Sequence, residues 1–349
     1  MTEIKASDLQ SSDELYLHRE IIVDKGQKSI RIDKFLLERL ESVSRSRIQN
    51  AIKVGSILVH DKMIKSNYKV RPLDKISLVL PTNPDLKERA KPQNIPINVV
   101  YEDDHVMVIN KEPGMVVHPG IGNPDNTLVN ALLYYFQEKS GLPVMEGNSE
   151  NRAGLVHRID KDTSGLMLIA KTELAMTSLA KQFYDHSIER SYVAIVWSSP
   201  EEPEGTIEGN ITRHPKDRMQ MYVSDDESIG KHAITHYKIL EDLYYVSLVQ
   251  CNLETGRTHQ IRVHMKYIGC TLFNDSRYGG DKVLKGTVFT KYRLFVENCF
   301  KICDRQALHA KTIGFIHPST GEKMLFDSEI PEDMNMVLDR WRNYFTARK

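Results

Sequence analysis

The 349-residue sequence lacks a long apolar run, has few cysteines and carries no net charge. No segment approaches the roughly 18–20 apolar residues of a membrane helix, and the N-terminus lacks the apolar stretch of a signal peptide, so we expect a cytoplasmic protein. The cysteines are scattered without Cys-x-x-Cys spacing, which predicts buried thiols rather than disulfides or a metal site. The hydrophobic content of 40% is typical of a globular chain, and the length predicts about two domains.

The absence of net charge conceals an uneven distribution. The 47 basic and 47 acidic residues cancel, which by itself argues against a nucleic-acid partner. Residues 24–75, however, contain 13 Lys and Arg but only six Asp and Glu, a net charge of +7, so the remainder of the chain carries −7. Charge asymmetry between regions indicates a polyanion-binding region better than the total charge does.

Apolar spacing and turn residues divide the chain into four parts. Residues 1–20 are polar and predict a flexible lead-in, residues 21–80 predict a small domain, and the proline-containing stretch 81–95 predicts a linker. Residues 96–349 predict one large domain. Its strand and helix patterns do not alternate regularly, so we expect an α+β fold rather than a doubly wound parallel sheet.

The small domain shows the spacing of two short helices followed by strands. Ser44 is a candidate N-cap for the second helix, which Gly55 ends, and a strand follows. This order of helix, helix, glycine and strand resembles the small RNA-binding domain named after small-subunit ribosomal protein four.

Three basic residues of this domain, Arg45, Arg47 and Lys53, lie on or beside the predicted second helix. Side chains placed in this way can contact successive phosphates, which gives affinity without sequence choice. Charge alone is equally consistent with an ordinary solvated helix face. The resemblance favours RNA binding.

The most reactive-looking segment of the large domain is His157-Arg158-Ile159-Asp160, followed by Thr163-Ser164-Gly165. We predict a loop flanked by two strands, an arrangement on which sites are commonly built. A kinase-type loop is disfavoured because Ile159 interrupts His-Arg-Asp and no glycine-rich phosphate loop is present. A metal site is disfavoured because His157 has no second ligand at helical spacing. Taken alone, the segment favours a structural turn in which its polar side chains bond to the backbone.

A second polar segment, Leu253–His264, ends one predicted strand and opens a helix with Thr258 as a candidate N-cap. Arg262 lies one helical turn further and keeps its charge at neutral pH. A long chain separation between a carboxylate loop and an arginine-rich turn is common in folded active sites. The sequence alone does not place the two segments in contact.

Four blocks in the same order resemble the RluA/RluD family of RNA pseudouridine synthases, over about residues 95–330. The blocks are residues 157–165, 190–194, 213–237 and 255–264, with Tyr278-Gly279-Gly280 and residues 305–310 beyond. The chain departs from the family pattern at Ile159, where Leu is usual, at Ser191, and at residues 273–277, where Gly-Asp is commoner.

The resemblance implies an isomerase that breaks the N1–C1′ bond of uridine in RNA and joins C5 to C1′. Its implied fold is a catalytic domain with a mixed, largely antiparallel sheet. It makes Asp160 the catalytic carboxylate, which either attacks C1′ or removes a sugar proton. Arg262 would pair with this carboxylate, and Tyr192 would stack on the base. No cofactor or metal is implied.

Other basic residues carry over from the family as RNA contacts. Arg158 would fill the gap left when the uridine leaves its stack. A basic loop would grip the RNA backbone through Arg213, His214, Lys216 and Arg218. Large-subunit ribosomal RNA is the expected target of this monomeric enzyme, because the small domain accompanies this catalytic type. Transfer RNA, or a non-catalytic role in ribosome assembly, are the alternatives.

Overall fold

The computed structural model describes residues 16–40, 43–81, 90–120, 122–138 and 154–347. The small domain contains an antiparallel sheet in the order β1-β4-β2-β3, with two helices against it. The oxygen Oγ of Ser44 accepts a hydrogen bond from the Arg47 amide at 3.3 Å, so Ser44 is the N-cap of the second helix, as predicted. The elements in chain order are β1 (Tyr16–Ile22), α1 (Ile32–Leu37), α2 (Arg45–Lys53), β2 (Ile57–Val59), β3 (Lys62–Met63) and β4 (Lys75–Pro81).

The first strand corrects the prediction that residues 1–20 form a flexible lead-in. Residues 1–15 lie outside the described part of the chain, but β1 pairs with β4 from Tyr16 opposite Pro81 to Ile22 opposite Lys75. The partner strand is distant in sequence, so the polar composition of this stretch does not reveal the pairing. Within the predicted linker, residues 82–89 also lie outside the described residues, and residues 90–95 belong to no helix or strand.

The large domain is built on a sheet in the order β10-β9-β11-β12-β8-β13-β7-β6-β5, with β14 joined to β13. Within these pairs, β13 and β7 run parallel and the others run antiparallel, so the α+β fold with a mixed, largely antiparallel sheet is confirmed. The elements are β5 (Val99–Glu102), β6 (Val106–Lys111), α3 (Leu128–Glu138), β7 (Ser164–Ala170), α4 (Glu173–Tyr184), β8 (Glu189–Trp197), β9 (Glu204–Arg213), β10 (Met221–Ser224), β11 (Lys231–Asp242), β12 (Val246–Leu253), α5 (Gln260–Tyr267), α6 (Thr290–Ile302), β13 (Leu308–Ile316), β14 (Lys323–Asp327) and α7 (Glu332–Thr346).

Strand β8 separates two cores because its side chains alternate between the two faces of the sheet. Tyr192 and Ala194 pack on the face covered by α3 and α5. Val193 and Trp197 pack on the opposite face, with Trp341 of α7. Tyr192 therefore points to the side of the sheet that also carries α5.

The small domain packs directly against helix α4 of the large domain. The guanidinium of Arg47 donates to the Pro81 carbonyl at 2.7 Å and lies 3.5 Å from the Glu173 carboxylate of α4. The rings of Tyr16 and Tyr184 meet edge to face with centroids 5.7 Å apart. These contacts set the position of β1 beside the large domain.

Two further predictions concern the cysteines and the apolar segments. All four cysteines are buried free thiols, as expected, and burial raises the pKa of Cys251 to about 12. None of the helices among the described residues is both long and apolar enough to cross a membrane.

Candidate active site

Asp160 lies in the loop that precedes β7. We predicted strands on both sides of this loop, but only β7 is present, and residues 154–159 contribute a single bridge between Leu155 and Ile169. The segment before the loop is held by its core side chains rather than by a ladder. Leu155 and Ile159 are both buried in the cluster that contains Tyr192.

Glycines lie at both ends of the segment from residue 154 to residue 165, where the chain packs closely against neighbouring backbone. Gly154 has φ +80°, and a Cβ there would lie 2.0 Å from the Ala170 carbonyl oxygen. Gly165 has φ +118°, and its Cβ would lie 2.3 Å from the Ala310 carbonyl oxygen. Both the left-handed backbone and the lack of space require glycine, so the loop lies tightly against β7 and β13.

Two buried cations hold the turn that follows Asp160. The ammonium of Lys111 donates to the Lys161 carbonyl at 2.9 Å, and the guanidinium of Arg305 donates to the Asp162 carbonyl at 3.0 Å. Arg305 is in turn bound through both nitrogens of its fork to Asp333 of α7. Burial lowers the pKa of Lys111 to about 7.

His157 has a structural role beneath the loop. Its Nε2 accepts a hydrogen bond from the Leu168 amide at 2.8 Å, and its ring stacks on Phe183 at 4.8 Å. Burial lowers the pKa of His157 to about 3, so the ring is neutral. Within the described ranges, no group of three or more His, Cys, Asp or Glu is placed to hold a metal ion.

Arg262 joins two carboxylates that are distant in sequence. Its Nη1 donates to Asp160 Oδ2 at 2.8 Å, while Nε and Nη2 donate to the two oxygens of Asp275 at 2.7 and 2.9 Å. Arg262 and Asp275 are buried, whereas the side chain of Asp160 is 22% exposed. The guanidinium is thus fixed by Asp275 and presents its remaining donor to Asp160.

The charge state of Asp160 follows from this arrangement. Burial alone would raise the pKa of Asp160, but the interactions with His259 and Arg262 outweigh it and lower that pKa below the usual range. The carboxylate is therefore ionised at neutral pH. An ionised carboxylate is the form that acts as a nucleophile or as a base.

His259 is a neighbour of Asp160 that the sequence did not indicate. Its Nε2 lies 3.9 Å from Asp160 Oδ2, and its Nδ1 shares a 2.8 Å hydrogen bond with the Tyr278 hydroxyl. The backbone of His259 is left-handed, with φ 56°, directly before α5. Thr258 was predicted to cap this helix, and that prediction is wrong, because α5 begins one residue later and His259 occupies the cap position without a side-chain bond.

Asp160 and Tyr192 line the same cavity, together with Arg158, Arg262 and residues from β1 and α4. Tyr192 is buried on the face of β8 that carries α5. Burial raises the pKa of Tyr192, so its hydroxyl stays protonated. The structure thus brings the three predicted catalytic side chains to one cavity, while their catalytic roles remain predictions.

The predicted RNA-contacting residues of the large domain lie at the surface. Arg158 is exposed beside Asp160. Arg213 is exposed at the last residue of β9, and Lys216 and Arg218 are exposed in the turn between β9 and β10. The ring of His214 accepts amide hydrogen bonds from within this turn, which holds the turn in shape.

The small domain corrects one predicted RNA contact. Arg47 is only 4% exposed, and its guanidinium is engaged by the Pro81 carbonyl and by Glu173, so it is not available to phosphates. Lys53 is exposed at the last residue of α2, and Arg45 is exposed at its first residue, where it pairs with Asp33. The helix thus presents two of the three predicted cations to solvent.

Asp275 is the most consequential residue that the sequence did not single out. It lies in the segment 273–277, which departs from the family pattern. Asp275 holds Arg262, the arginine that contacts Asp160. Asn274, next to it, has φ 57°, a conformation that asparagine tolerates better than most residues. The available signal in the sequence was an acidic residue next to an asparagine, a residue type that is common in turns.

The sequence of this chain is similar to those of known proteins. The family model described as RNA pseudouridylate synthase matches residues 105–267. An RNA pseudouridine synthase of Chlorobaculum parvum is 44% identical over 93% of this chain and 98% of its own length. The protein named ribosomal large subunit pseudouridine synthase D of Zymomonas mobilis is 43% identical over 88% of this chain and 92% of its own.

A solved structure shares the fold. Human RNA pseudouridylate synthase domain containing 4 superposes with a TM-score of 0.53 at 22% identity, covering 70% of this chain and 93% of that one. At this identity the likeness concerns the fold alone. Sequence identity above 40% over nearly the whole length of both chains carries the assignment, and this chain belongs to the RNA pseudouridine synthases.

Proposed function

We propose that the chain converts specific uridines of large-subunit ribosomal RNA to pseudouridine, with Asp160 as the reacting carboxylate. The observation that carries the site assignment is the bond from Arg262 to Asp160, which keeps an ionised carboxylate at the wall of a cavity. The ribosomal target is supported by the name of the Zymomonas mobilis relative and by the basic small domain.

In this proposal Asp160 acts at the sugar while the base is held beside it. The carboxylate either attacks C1′ or removes a sugar proton, and the N1–C1′ bond breaks. The freed uracil turns within the cavity, and C5 bonds to C1′ as the bond between Asp160 and C1′ breaks or the sugar regains its proton. C5 then gives up its proton and N1 gains one, so the product is an isomer of the substrate. Tyr192 supplies a buried ring for the base, and Arg262 keeps the carboxylate charged and oriented.

RNA would be held at two places outside the cavity. The exposed Arg213, Lys216 and Arg218 form one basic turn, and Arg45 and Lys53 of α2 form another basic surface. Arg158, exposed next to Asp160, is positioned to occupy the gap when the uridine leaves its stack. These residues contact the RNA backbone or fill the gap left by the uridine, and they do not read the base sequence. The shape of the RNA would therefore determine which uridine is modified.

The catalytic assignment is tested with Asp160→Asn, which keeps the shape and removes the charge. RNA binding should persist while pseudouridine formation stops. Conversion by the variant at the wild-type rate would show that Asp160 is not the reacting group.

The target is tested by mapping pseudouridines in total RNA from cells with the wild-type gene, without it, and with the Asp160→Asn form. We expect pseudouridine to be absent from specific positions of large-subunit ribosomal RNA in the last two strains. If pseudouridine were instead absent from transfer RNA, transfer RNA would replace ribosomal RNA as the target. If neither RNA lost pseudouridine, a non-catalytic role in ribosome assembly would be favoured.

A further inference from the structure

Arg190 lies beside the proposed base-binding residue. It is two residues before Tyr192 in β8, so both side chains lie on the same face of the strand, roughly 7 Å apart along it. Both line the cavity that holds Asp160. Neither the reaction nor the predicted RNA contacts use this arginine.

The guanidinium of Arg190 packs against an aromatic ring and a glycine, and neither of these residues carries a negative charge. The guanidinium lies over the ring of Phe183, 5.3 Å from the centroid. A Cβ on Gly256 would come within 2.9 Å of Nη1, so the glycine leaves the space that the guanidinium occupies. The Nε atom is fully enclosed and has no hydrogen-bond partner within the described part of the chain.

Positive charge predominates among the described residues that line the cavity. Arg158, Arg190, Arg257 and Arg262 all contribute to the wall, whereas Asp160 is the acidic residue there. Asp160 and Asp275 are both engaged by Arg262. The cavity thus contains more cationic than anionic side chains.

A partly buried guanidinium whose enclosed Nε has no partner among the described residues is unfavourable in the free protein. Burying a charged group without a partner costs free energy, and burial lowers the pKa of Arg190. An anion arriving with the substrate would remove this cost. RNA carries one kind of anionic group, the phosphodiester, and the planar fork of arginine matches phosphate oxygens well.

We propose that Arg190 is a phosphate-binding residue inside the cavity, which pairs with a phosphodiester flanking the uridine whose base lies at Tyr192. This inference rests on the proposed function, because it needs the uridine in this cavity. It assigns to Arg190 a role different from that of Arg262, which two carboxylates already occupy. Arg190 here is a binding residue, and it takes part in no bond-making step.

The first test compares the wild type with Arg190→Gln, which removes the charge, and Arg190→Lys, which keeps the charge and loses the fork. For RNA containing the target, we expect Arg190→Gln to raise KM at least about tenfold with a smaller change in kcat, since a backbone contact acts mainly on binding. The KM of Arg190→Lys should lie between those of the wild type and Arg190→Gln. The salt dependence of RNA binding should weaken by about one phosphate contact in Arg190→Gln, a slope change of roughly 0.7–0.9.

The second test uses small probes, namely uridine, uridine 5′-monophosphate and uridine 3′-monophosphate as competitive inhibitors. The wild type should bind at least one monophosphate about tenfold more tightly than uridine, and Arg190→Gln should lose that preference. Arg293→Gln, at an exposed position of α6, is the control and should leave all three constants unchanged. Retention of both the phosphate preference and the salt slope in Arg190→Gln would overturn the proposal.

A stability measurement separates binding from a structural role. Because the enclosed Nε of Arg190 has no partner among the described residues, Arg190→Gln should unfold at the same temperature as the wild type or higher. A clear fall in the unfolding temperature would mean that Arg190 supports the fold, and would overturn the proposal. Failure of the proposed function itself is recognised separately, because then the wild type would form no pseudouridine in the same assay.

Discussion

Replacing Arg262 with lysine tests the central arrangement of the site. Arg262 uses three nitrogens to hold Asp160 and Asp275 together, with N–O distances of 2.7 to 2.9 Å. A lysine ammonium is a single point charge on a flexible stem and cannot reproduce this fork. It can stay with one carboxylate, leaving the other partly unpaired in a largely buried position.

The expected magnitude follows from the bonds that are lost. Hydrogen bonds to charged groups contribute about 1.5–3 kcal/mol each, so losing two of the three removes about 3–6 kcal/mol. Part of this loss appears as reduced stability and part as a misplaced Asp160. If half of it falls on the transition state, kcat/KM drops by roughly one to two orders of magnitude, since about 1.4 kcal/mol corresponds to tenfold.

The assay is pseudouridine formation under single-turnover conditions, together with denaturant unfolding of the same samples. Arg342→Lys is the matched control, because Arg342 also binds two acids, Glu241 and Asp339, but is 42% exposed. Solvent screening limits that surface pair to less than about 1 kcal/mol, so activity should not change. If Arg262→Lys retained activity within about threefold while remaining folded, the orienting role of Arg262 would be refuted.

Three further predictions concern charge and backbone. Because interactions with His259 and Arg262 lower the pKa of Asp160, kcat/KM should not lose an ionised carboxylate as pH falls from 7 to about 5, and a pH–rate profile that declines through this range would contradict it. Burial lowers the pKa of Lys111 to about 7, so the folded state binds fewer protons than the unfolded state above that pH. The stability of the wild type relative to Lys111→Met should therefore rise between pH 7 and about 10, as measured by denaturant unfolding. Gly165→Ala should cost several kcal/mol because its Cβ would meet a backbone carbonyl, whereas Gly114→Ala, with φ +83° in open space, should cost about 1 kcal/mol in the same measurement.

The parts of the fold that sequence predicted well depend on local interactions. The second helix of the small domain begins at its predicted serine cap, because a cap is formed within one turn of the chain. Runs of β-branched and apolar residues, such as residues 193–196 of β8, fit a buried sheet and therefore indicate strands in the large domain. Neither signal specifies which strand lies next to which.

The errors arise where a distant partner decides the outcome. Arg47 has the same local charge pattern as Arg45, but Glu173 of α4 and the Pro81 carbonyl draw it into the interface. Residues 16–20 are polar, yet β4 provides a partner for their backbone. The charge of a residue and the composition of a segment can be read from the sequence. Burial depends on partners that are brought close only when the chain folds.

In the candidate site, too, some residues could be identified from local sequence, whereas others depend on distant partners. Asp160, Tyr192 and Arg262 could be named because motifs record residue types in order. Asp275 could not, because its importance comes from the arginine that it holds. A buried ion pair contributes little net stability compared with a well-packed apolar core, so the benefit of this one must lie in position. Asp275 fixes the guanidinium before substrate arrives, and the guanidinium fixes the carboxylate. Arg190 is the opposite case, a cation whose enclosed Nε has no partner among the described residues. Under the proposed function, the cationic side chains of the cavity serve two anions, the Asp160 carboxylate and a phosphate of the RNA backbone.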